Sequence, residues 1–251
     1  MRTAVIVDAV RTPSGRGKPG GALSGLHPVD LSAHVLTSLL ERNGLDSARV
    51  DDVLWGCVSQ VGEQASNIAR QAALAAGFAE TVPAASIDRQ CGSSQQAAHF
   101  AAQGVIAGAY DVVIAGGVES MSRVPLGTSV TVGGSPMSPR LRERYPEGFV
   151  NQGISAELIA QRWNLSRAGL DAYAAESHRR AADATAQGCF ASQLVPVGEV
   201  TTDETIRATT TAEGLAALPP AFRTDEAAAR FPDLDWRITA GNSSPLTDGA
   251  S

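Results

Sequence analysis

The stretch IDRQCGSSQQ, from Ile87 to Gln96, joins a β-like segment to a long alanine-rich helix. It places Cys91 at the amino end of that helix, where unpaired backbone N–H groups and the helix dipole stabilise a thiolate and can receive an oxyanion. Gly92 lacks a Cβ, so the chain can turn sharply there and a carbonyl group can approach the sulfur closely. A lone cysteine is also commonly a small buried apolar residue, so the stretch alone leaves a nucleophile and a packing residue both open.

Strand-like and helical patterns alternate on both sides of this stretch. Apolar residues at helical spacing predict a helix over residues 28–42, and two further helical patterns end at Gly77 and Gly108. Strand-like segments lie at residues 4–10, 53–58, 84–87 and 112–115. This order predicts an α/β fold with a mostly parallel sheet and covering helices. Ligands of such sheets bind beyond the carboxyl ends of the strands, and Cys91 lies just past one of them.

A second region begins after Met121. Prolines and glycines interrupt the regular patterns as far as Gly148, and helical patterns then cover residues 155–163 and 167–186 before a strand pattern returns at 237–240. This change indicates a large insertion into the core fold. We therefore expect a core fold that is interrupted after Met121 and resumes at the strand pattern of residues 237–240.

Charge and composition exclude several classes of protein. The formal net charge is −6, and no basic stripe is present to neutralise the phosphates of a nucleic acid or of an anionic membrane surface. No segment is long and apolar enough to cross a bilayer, and the chain passes from Met1 directly into a strand pattern, so we expect a cytoplasmic protein. Cys57, Cys91 and Cys189 form no Cys-x-x-Cys pair, so neither a disulfide framework nor a metal site is expected.

Five motifs, in order along the chain, resemble those of the thiolases, a family that makes or cleaves 3-ketoacyl-CoA thioesters through an acyl-cysteine intermediate. The motifs are VDAVRTP at 7–13, GEQASNIARQAA at 62–73, DRQCGS at 88–93, AGGVESMS at 115–122, and ITAGNSS at 238–244 with DGA at 248–250. The resemblance implies a thiolase-like fold in three parts. These are an amino-terminal core at residues 1–119, a loop domain rich in α-helix at 120–235, and a truncated return to the core at 236–251. In the family the loop domain covers the active site and holds coenzyme A. The resemblance also implies that a further core strand and an entire second core domain follow in the family.

For Cys91 the resemblance implies the role of acyl-accepting nucleophile, with its own N–H contributing to oxyanion binding. Four histidines are candidates for its base. His99 is nearest in sequence but lies eight residues along the predicted helix, about 12 Å of rise, whereas proton transfer needs about 3 Å. His27, His34 and His178 fit structural positions better. The family base belongs to a Gly-His-Pro motif and acts with a second cysteine, both in the second core domain, which this sequence does not contain.

The resemblance assigns contacts with coenzyme A to the inserted region. Arg207 stands where the family places an arginine against the nucleotide, and its guanidinium fork suits phosphate oxygens. Without the family context, the residue would more often be a solvated surface arginine. The other matched positions are Gln152, Gly214, Leu218, Phe222, Ala240 and Ser244. Gly214 replaces a residue that is often polar, and NQG at 151–153 replaces the HMG of short-chain biosynthetic members, which implies a bulkier or more polar acyl group.

Partners and activity are expected to follow the family. The resemblance makes the 62–73 segment a dimer contact with Asn67 and Arg70 reaching toward the neighbouring subunit, in a homodimer or homotetramer. Coenzyme A and acyl-CoA are substrates, no cofactor is bound permanently, and the reaction belongs to lipid metabolism, as in fatty acid β-oxidation. One alternative is a catalytically incomplete module that binds CoA or dimerises. Another is an acyl-carrier-protein ketosynthase, against which the GGVESMS and TAGN motifs argue.

The sequence carries a final expectation about its own extent. A thiolase would enter another core strand just after Asp248-Gly249-Ala250, so we expect the active protein to be longer than this chain. A polypeptide ending at Ser251 is expected to be poorly soluble because a sheet edge and a layer of helices would lack their partners.

Overall fold

The computed structural model describes residues 2–131 and 134–251 of the chain. Two compact units divide it. The core unit comprises residues 1–133, 190–205 and 246–251, and the inserted unit comprises residues 134–189 and 206–245. The boundaries between the units fall at 133/134, 189/190, 205/206 and 245/246, so the segment 190–205 belongs to the core unit. The three parts expected from the sequence stay a prediction.

Within the described residues, the core unit is built on a five-stranded sheet in the order β1-β5-β4-β2-β3. The strands are β1 Gly15–Arg16, β2 Asp52–Gly56, β3 Ala84–Ile87, β4 Val113–Ser120 and β5 Thr247–Ala250. β2 pairs in parallel with β3 and β4, as the alternating pattern predicts, whereas β5 pairs antiparallel with β1 and β4. The sheet is consequently mixed, and the carboxyl ends of β2, β3 and β4 lie at the same edge.

Helices cover the core sheet and form most of the inserted unit. They are α1 Pro28–Asn43, α2 Ile68–Ala75, α3 Ser93–Ala107, α4 Thr128–Thr131, α5 Pro139–Arg144, α6 Gln152–Arg162, α7 Arg167–Ala186, α8 Ala212–Ala216 and α9 Asp225–Arg230. The predictions at 28–42 and 167–186 are confirmed almost to the residue because local signals set the ends. For α1, the His27 ring accepts a hydrogen bond from the Val29 N–H, and Gly44 ends the helix with a left-handed φ of 56°.

The hydrophobic core lies between α1, α2 and the sheet. Its largest member is Trp55 on β2, which is 1% exposed and donates from its indole nitrogen to the Ser32 hydroxyl at 3.2 Å. Leu31 and Leu36 of α1 and Ile68 of α2 are buried around it; each such side chain contributes about 1.5–3 kcal/mol on burial. Among the described residues no helix is long and apolar enough to cross a membrane.

The prediction of a strand at residues 4–10 is wrong. No strand is assigned there, and Val5, Ile6 and Val7 are 76%, 90% and 82% exposed. An apolar pattern indicates residues that favour burial, but a strand also needs a neighbouring strand to pair with. Among the described residues, no strand pairs with this segment. The strand expected at 237–240 likewise reduces to one isolated bridge, between Thr239 and Pro220.

Two acidic residues attach the 190–205 segment to the core unit. Asp203 accepts two hydrogen bonds from the Arg11 guanidinium, at 2.7 and 3.0 Å, and one from the Ser14 N–H at 2.8 Å. Glu204 accepts from the N–H groups of Arg16 and Ala22, both at 2.8 Å. These contacts join residues far apart in sequence, which is why the sequence patterns alone place the segment in the insertion.

Candidate active site

Cys91 lies on a tight turn between β3 and α3, which we call the Cys91 elbow (residues 88–93). Gln90 adopts the left-handed conformation with φ of 50°, and its N–H donates to the Asp88 carboxylate at 2.8 Å. The Gly92 N–H then donates to the Arg89 carbonyl at 3.1 Å, which closes the turn. A non-glycine residue in this conformation costs about 1–2 kcal/mol. The elbow leaves Cys91 exposed at the amino end of α3.

No side-chain cap is found at the amino end of α3 among the described residues. Gly92 occupies the capping position and supplies no side-chain acceptor to the first N–H groups of the helix. Those groups carry the positive end of the helix dipole, which stabilises an anion placed there. An exposed thiol beside such an end fits a sulfur nucleophile, and the same N–H groups fit the oxyanion that forms when it attacks a carbonyl.

A pair of glycines allows α3 to approach the sheet at this point. Gly56 on β2 and Gly117 on β4 are register partners. A Cβ on Gly56 would overlap the backbone nitrogen of Ser94, and a Cβ on Gly117 would overlap the Ser94 hydroxyl. Gly116, by contrast, faces the Trp55 ring. Of the two glycines in the AGGVESMS motif, Gly117 therefore supports the first turn of α3 and Gly116 packs against the core.

Cys57, the residue after β2, is buried, whereas Cys91 is exposed. It is 1% exposed, and burial raises its pKa to about 12, with further contributions from the charges of Glu119 and Asp88. The Glu119 carboxylate accepts hydrogen bonds from the N–H groups of Val58 at 2.8 Å and Ser59 at 3.2 Å. Cys57 thus remains protonated at neutral pH, and Glu119 orders the loop that follows β2.

Two of the three histidines of the core unit, His27 and His34, have partners other than Cys91. His27 caps α1, the His34 ring contacts the Pro196 carbonyl at 2.8 Å, and His99 is exposed on α3. Within the described part of this unit, none of the three forms a hydrogen bond with Cys91. Among the described residues, moreover, no group of three or more His, Cys, Asp or Glu side chains is placed to hold a metal ion.

In the inserted unit, Arg207 is exposed beside His178. The Arg207 N–H donates to the His178 ring at 3.1 Å, and burial together with the nearby Arg207 charge lowers the pKa of His178. No hydrogen bond or ion pair of the Arg207 guanidinium is found among the described residues. The predicted contact of Arg207 with a phosphate stays a prediction.

The apolar positions matched to the CoA site fall into two contacts within the inserted unit. The Phe222 ring lies against Gly153, next to Gln152 at the start of α6, so closely that a Cβ on Gly153 would overlap the ring. Leu218 lies in the same way against Gly241, which follows the exposed Ala240. The Ala221 N–H donates to the Ile238 carbonyl at 2.9 Å and joins the two stretches.

The remaining two matched positions are peripheral to these contacts. Gly214 lies in the first turn of α8, where its N–H donates to the Thr211 hydroxyl at 3.1 Å. Ser244 is exposed in the loop before β5, and no hydrogen bond of its side chain is found among the described residues. The structure therefore places Phe222 and Leu218 against Gly153 and Gly241, the sequence neighbours of Gln152 and Ala240, and leaves Gly214 and Ser244 outside these contacts.

A buried polar network that the sequence analysis missed orders the 237–242 stretch. Glu157 is completely buried and accepts from the N–H groups of Arg237 and Ile238, both at 2.7 Å. Asp171 is 1% exposed and accepts from Arg167 at 2.7 Å and from the Asn242 amide at 2.9 Å. Buried carboxylates need such partners. A signal was available, since Asn242 belongs to the TAGN motif.

Asn67 and Arg70 bond within their own chain. Asn67 caps α2 and donates to the Ala84 carbonyl at 2.9 Å, while Arg70 donates to the carbonyls of Val82 and Glu80 at 2.5 and 2.8 Å. Asn67 thereby holds β3, which is an edge strand of the sheet, and Arg70 holds the turn that precedes it. Their predicted reach toward a neighbouring subunit stays a prediction.

Comparison with known proteins gives a consistent picture. Residues 4–251 match the family described as thiolase, N-terminal domain. A steroid 3-ketoacyl-CoA thiolase of Mycobacterium tuberculosis is 43% identical over 262 residues, which cover 100% of this chain and 61% of the relative. A 3-ketoacyl-CoA thiolase of Pectobacterium carotovorum is 42% identical over 261 residues, which cover 100% of this chain and 64% of the relative.

The solved structures agree with these relatives. The crystal structure of the Bacillus anthracis acetyl-CoA acetyltransferase is similar with a TM-score of 0.83 and 37% identity, covering 100% of this chain and 64% of that one. The chain thus spans between 61% and 64% of the length of the relatives compared. With the motifs in order, the family match from residue 4 to residue 251 and the α/β fold shared with a solved relative, the chain belongs to the thiolase family.

Proposed function

We propose that this chain provides the acyl-accepting half of an acyl-CoA acyltransferase of thiolase type, with Cys91 as the nucleophile. The observation that carries the proposal is the exposure of the Cys91 thiol at the uncapped amino end of α3 in a chain of this family. A helix amino terminus stabilises both a thiolate and the oxyanion that it generates. Relatives named as 3-ketoacyl-CoA thiolases and acetyl-CoA acetyltransferase support the substrate class.

The proposed chemistry has two half-reactions. The Cys91 thiolate attacks the keto carbon of a 3-ketoacyl-CoA, the bond between the keto carbon and the α-carbon breaks, and the departing α-carbon takes a proton to give acetyl-CoA. The acyl group remains on sulfur as a thioester until the thiolate of a second CoA attacks it and releases Cys91. Run backwards, the acyl-cysteine undergoes Claisen condensation with acetyl-CoA. The proton transfers belong, by the family resemblance, to a histidine and a second cysteine of the second core domain.

CoA binding is proposed for the inserted unit. Arg207 offers to the phosphates an exposed guanidinium for which no partner is found among the described residues. Leu218, Phe222 and Ala240, with Gln152, offer surface to the pantetheine and acyl groups. Gly214 and Ser244 are proposed to contribute backbone and hydroxyl contacts. CoA and acyl-CoA act as substrates rather than as permanently bound cofactors, in a cytoplasmic homo-oligomer.

Acetyl transfer from acetyl-CoA to the chain tests the nucleophile. After incubation and proteolysis, mass spectrometry is expected to find an acetyl group on the Cys91 peptide and none on that of Cys57. Cys91→Ser should lose the label, and Cys189→Ser, which removes the other exposed thiol, should keep it. Labelling of Cys189 in preference to Cys91 would exclude Cys91 as the acyl acceptor.

A second candidate function is a module that binds CoA or dimerises without catalysis. It is favoured by one observation, that none of the three histidines of the core unit forms a hydrogen bond with Cys91. Calorimetry with CoA and acetyl labelling together separate the two functions. The module would bind CoA in the calorimeter and yet leave Cys91 unlabelled by acetyl-CoA.

A further inference from the structure

The Ser93 hydroxyl is bonded on both sides to the backbone that precedes Cys91. It accepts a hydrogen bond from the Arg89 N–H at 2.9 Å and donates one to the Gln90 carbonyl at 2.6 Å. Ser93 is 5% exposed, so water cannot readily replace it in either contact. The two residues before the sulfur are thereby tied to the second residue after it.

These two bonds act on the strained part of the elbow. Gln90 holds a φ of 50°, at a cost of about 1–2 kcal/mol, and a typical intramolecular hydrogen bond contributes about 0.5–1.5 kcal/mol. Two such bonds are therefore of the right size to offset the strain. The Gln90 carbonyl keeps a second donor, the Ser93 N–H at 3.0 Å, whereas the Ser93 hydroxyl is the acceptor found for the Arg89 N–H among the described residues.

We propose that Ser93 is a positioning residue for Cys91. Its hydroxyl holds Gln90 in the left-handed conformation and so keeps the Cys91 sulfur at the amino end of α3. The inference deepens the proposed function and rests on the role assigned there to Cys91. It gives Ser93 no part in proton transfer, because its one hydroxyl proton is already donated to the Gln90 carbonyl.

The rate of alkylation of Cys91 by iodoacetamide, measured by mass spectrometry, tests the positioning. Cys189 in the same molecule is the internal reference, since it is exposed and lies outside the elbow. Ser93→Ala is expected to lower the Cys91 rate about fivefold relative to Cys189, and Ser93→Thr, which keeps the hydroxyl, should restore it. Ser38→Ala is the matched control, since it removes a comparable hydroxyl contact with the His34 carbonyl, at 2.8 Å on α1.

A second variant separates positioning from a general loss of structure. Glycine adopts the left-handed conformation without strain, so Gln90→Gly in the Ser93→Ala background should recover most of the lost rate. An unchanged Cys91 rate in Ser93→Ala would overturn the proposal, and so would a failure of Gln90→Gly to recover any of it. Alkylation needs no acyl transfer. A Cys91 that takes no acetyl group but still responds to Ser93 would therefore count against the proposed function alone.

Discussion

Gly56 and Gly117 face each other on neighbouring strands, and the first turn of α3 lies directly on the pair. The contact fixes the height of the helix end above the sheet, and with it the place of Cys91. Because a Cβ on Gly56 would meet backbone atoms of Ser93 and Ser94 rather than the tip of a flexible side chain, the helix has to move to accommodate it.

Gly56→Ala is therefore expected to lower the free energy of unfolding by about 1–3 kcal/mol, the usual cost of overpacking, and to slow the alkylation of Cys91. Urea denaturation and the iodoacetamide rate measure the two effects. Gly25→Ala is the control, because a Cβ there meets nothing within 4 Å and its φ is ordinary. Equal effects of the two variants would show that the glycine pair plays no special part.

The three thiols should react with iodoacetamide in the order Cys91, Cys189, Cys57. Cys91 and Cys189 are exposed, but only Cys91 lies at a helix amino end, and the pKa of the buried Cys57 is raised to about 12. Peptide mapping under native conditions at neutral pH gives the order. Alkylation of Cys189 ahead of Cys91 would contradict the electrostatic effect assigned to α3.

Arg207→Ala should weaken CoA binding by about 1.5–3 kcal/mol, the size of a hydrogen bond to a charged group. Calorimetry with CoA and with dephospho-CoA identifies which phosphate the guanidinium meets. Arg223→Ala removes another exposed arginine of the inserted unit and should leave affinity unchanged. Indistinguishable affinities for the two variants would leave Arg207 as surface charge.

Glu204→Gln should destabilise the chain in a pH-dependent way. The N–H groups of Ala22 and Arg16, followed by the Arg16 guanidinium, lower the pKa of Glu204 to about 2. A lowered folded-state pKa stabilises the protein above the unfolded value of about 4.3, and this contribution is lost as the pH falls from there toward 2. Urea denaturation should show a loss of about 1–2 kcal/mol at pH 7 and a smaller one at pH 3.

The exposed Glu199→Gln is the control for this pH series and should show no such difference. A loss for Glu204→Gln that is the same at pH 7 and pH 3 would mean that the ionised carboxylate is not the stabilising form.

Self-association is expected to involve β3, whose outer edge is unpaired within the described chain. Ala85→Lys places a charge at an exposed position on that strand and should shift the protein toward monomer in light scattering. Ala191→Lys, at an exposed position outside the sheet, should not. Ala69, within the predicted dimer segment, is fully buried, so a charge there would test folding instead. An unchanged mass for Ala85→Lys would contradict association through this edge.

The sequence predicted helix ends correctly where residues that begin or end a helix stand next to a helical spacing of apolar residues. The placement of Cys91 at a helix amino end follows from Gly92 and the helical spacing beyond it, and α1 follows from Pro28 and Gly44. The left-handed Gln90 could not be foreseen, because nothing in its residue type requires that conformation and the Ser93 and Asp88 contacts that hold it are visible only in the folded chain.

Non-local contacts account for the rest. The pairing of Arg11 with Asp203 joins residues with most of the chain between them, so no window of sequence reveals that 190–205 belongs to the core unit. The segment from Val5 to Val7 has the apolar pattern of a strand, but it is exposed, and no strand among the described residues pairs with it. Glu157 and Asp171 were missed because a carboxylate in a helix is ordinarily a surface residue, and only its partners show that it is buried.

The position of β5 has a consequence for biosynthesis. It lies between β1 and β4 in the sheet, yet it is the last of the five strands to leave the ribosome. At about 5–20 residues per second, the interval between Ser120 and Thr247 is roughly 6–25 s, during which β1 and β4 lack their shared neighbour. The inserted unit has time to form within that interval. We therefore expect chaperones that cover the unpaired edge of β4 to matter more for the nascent chain than for the full-length chain refolding from denaturant.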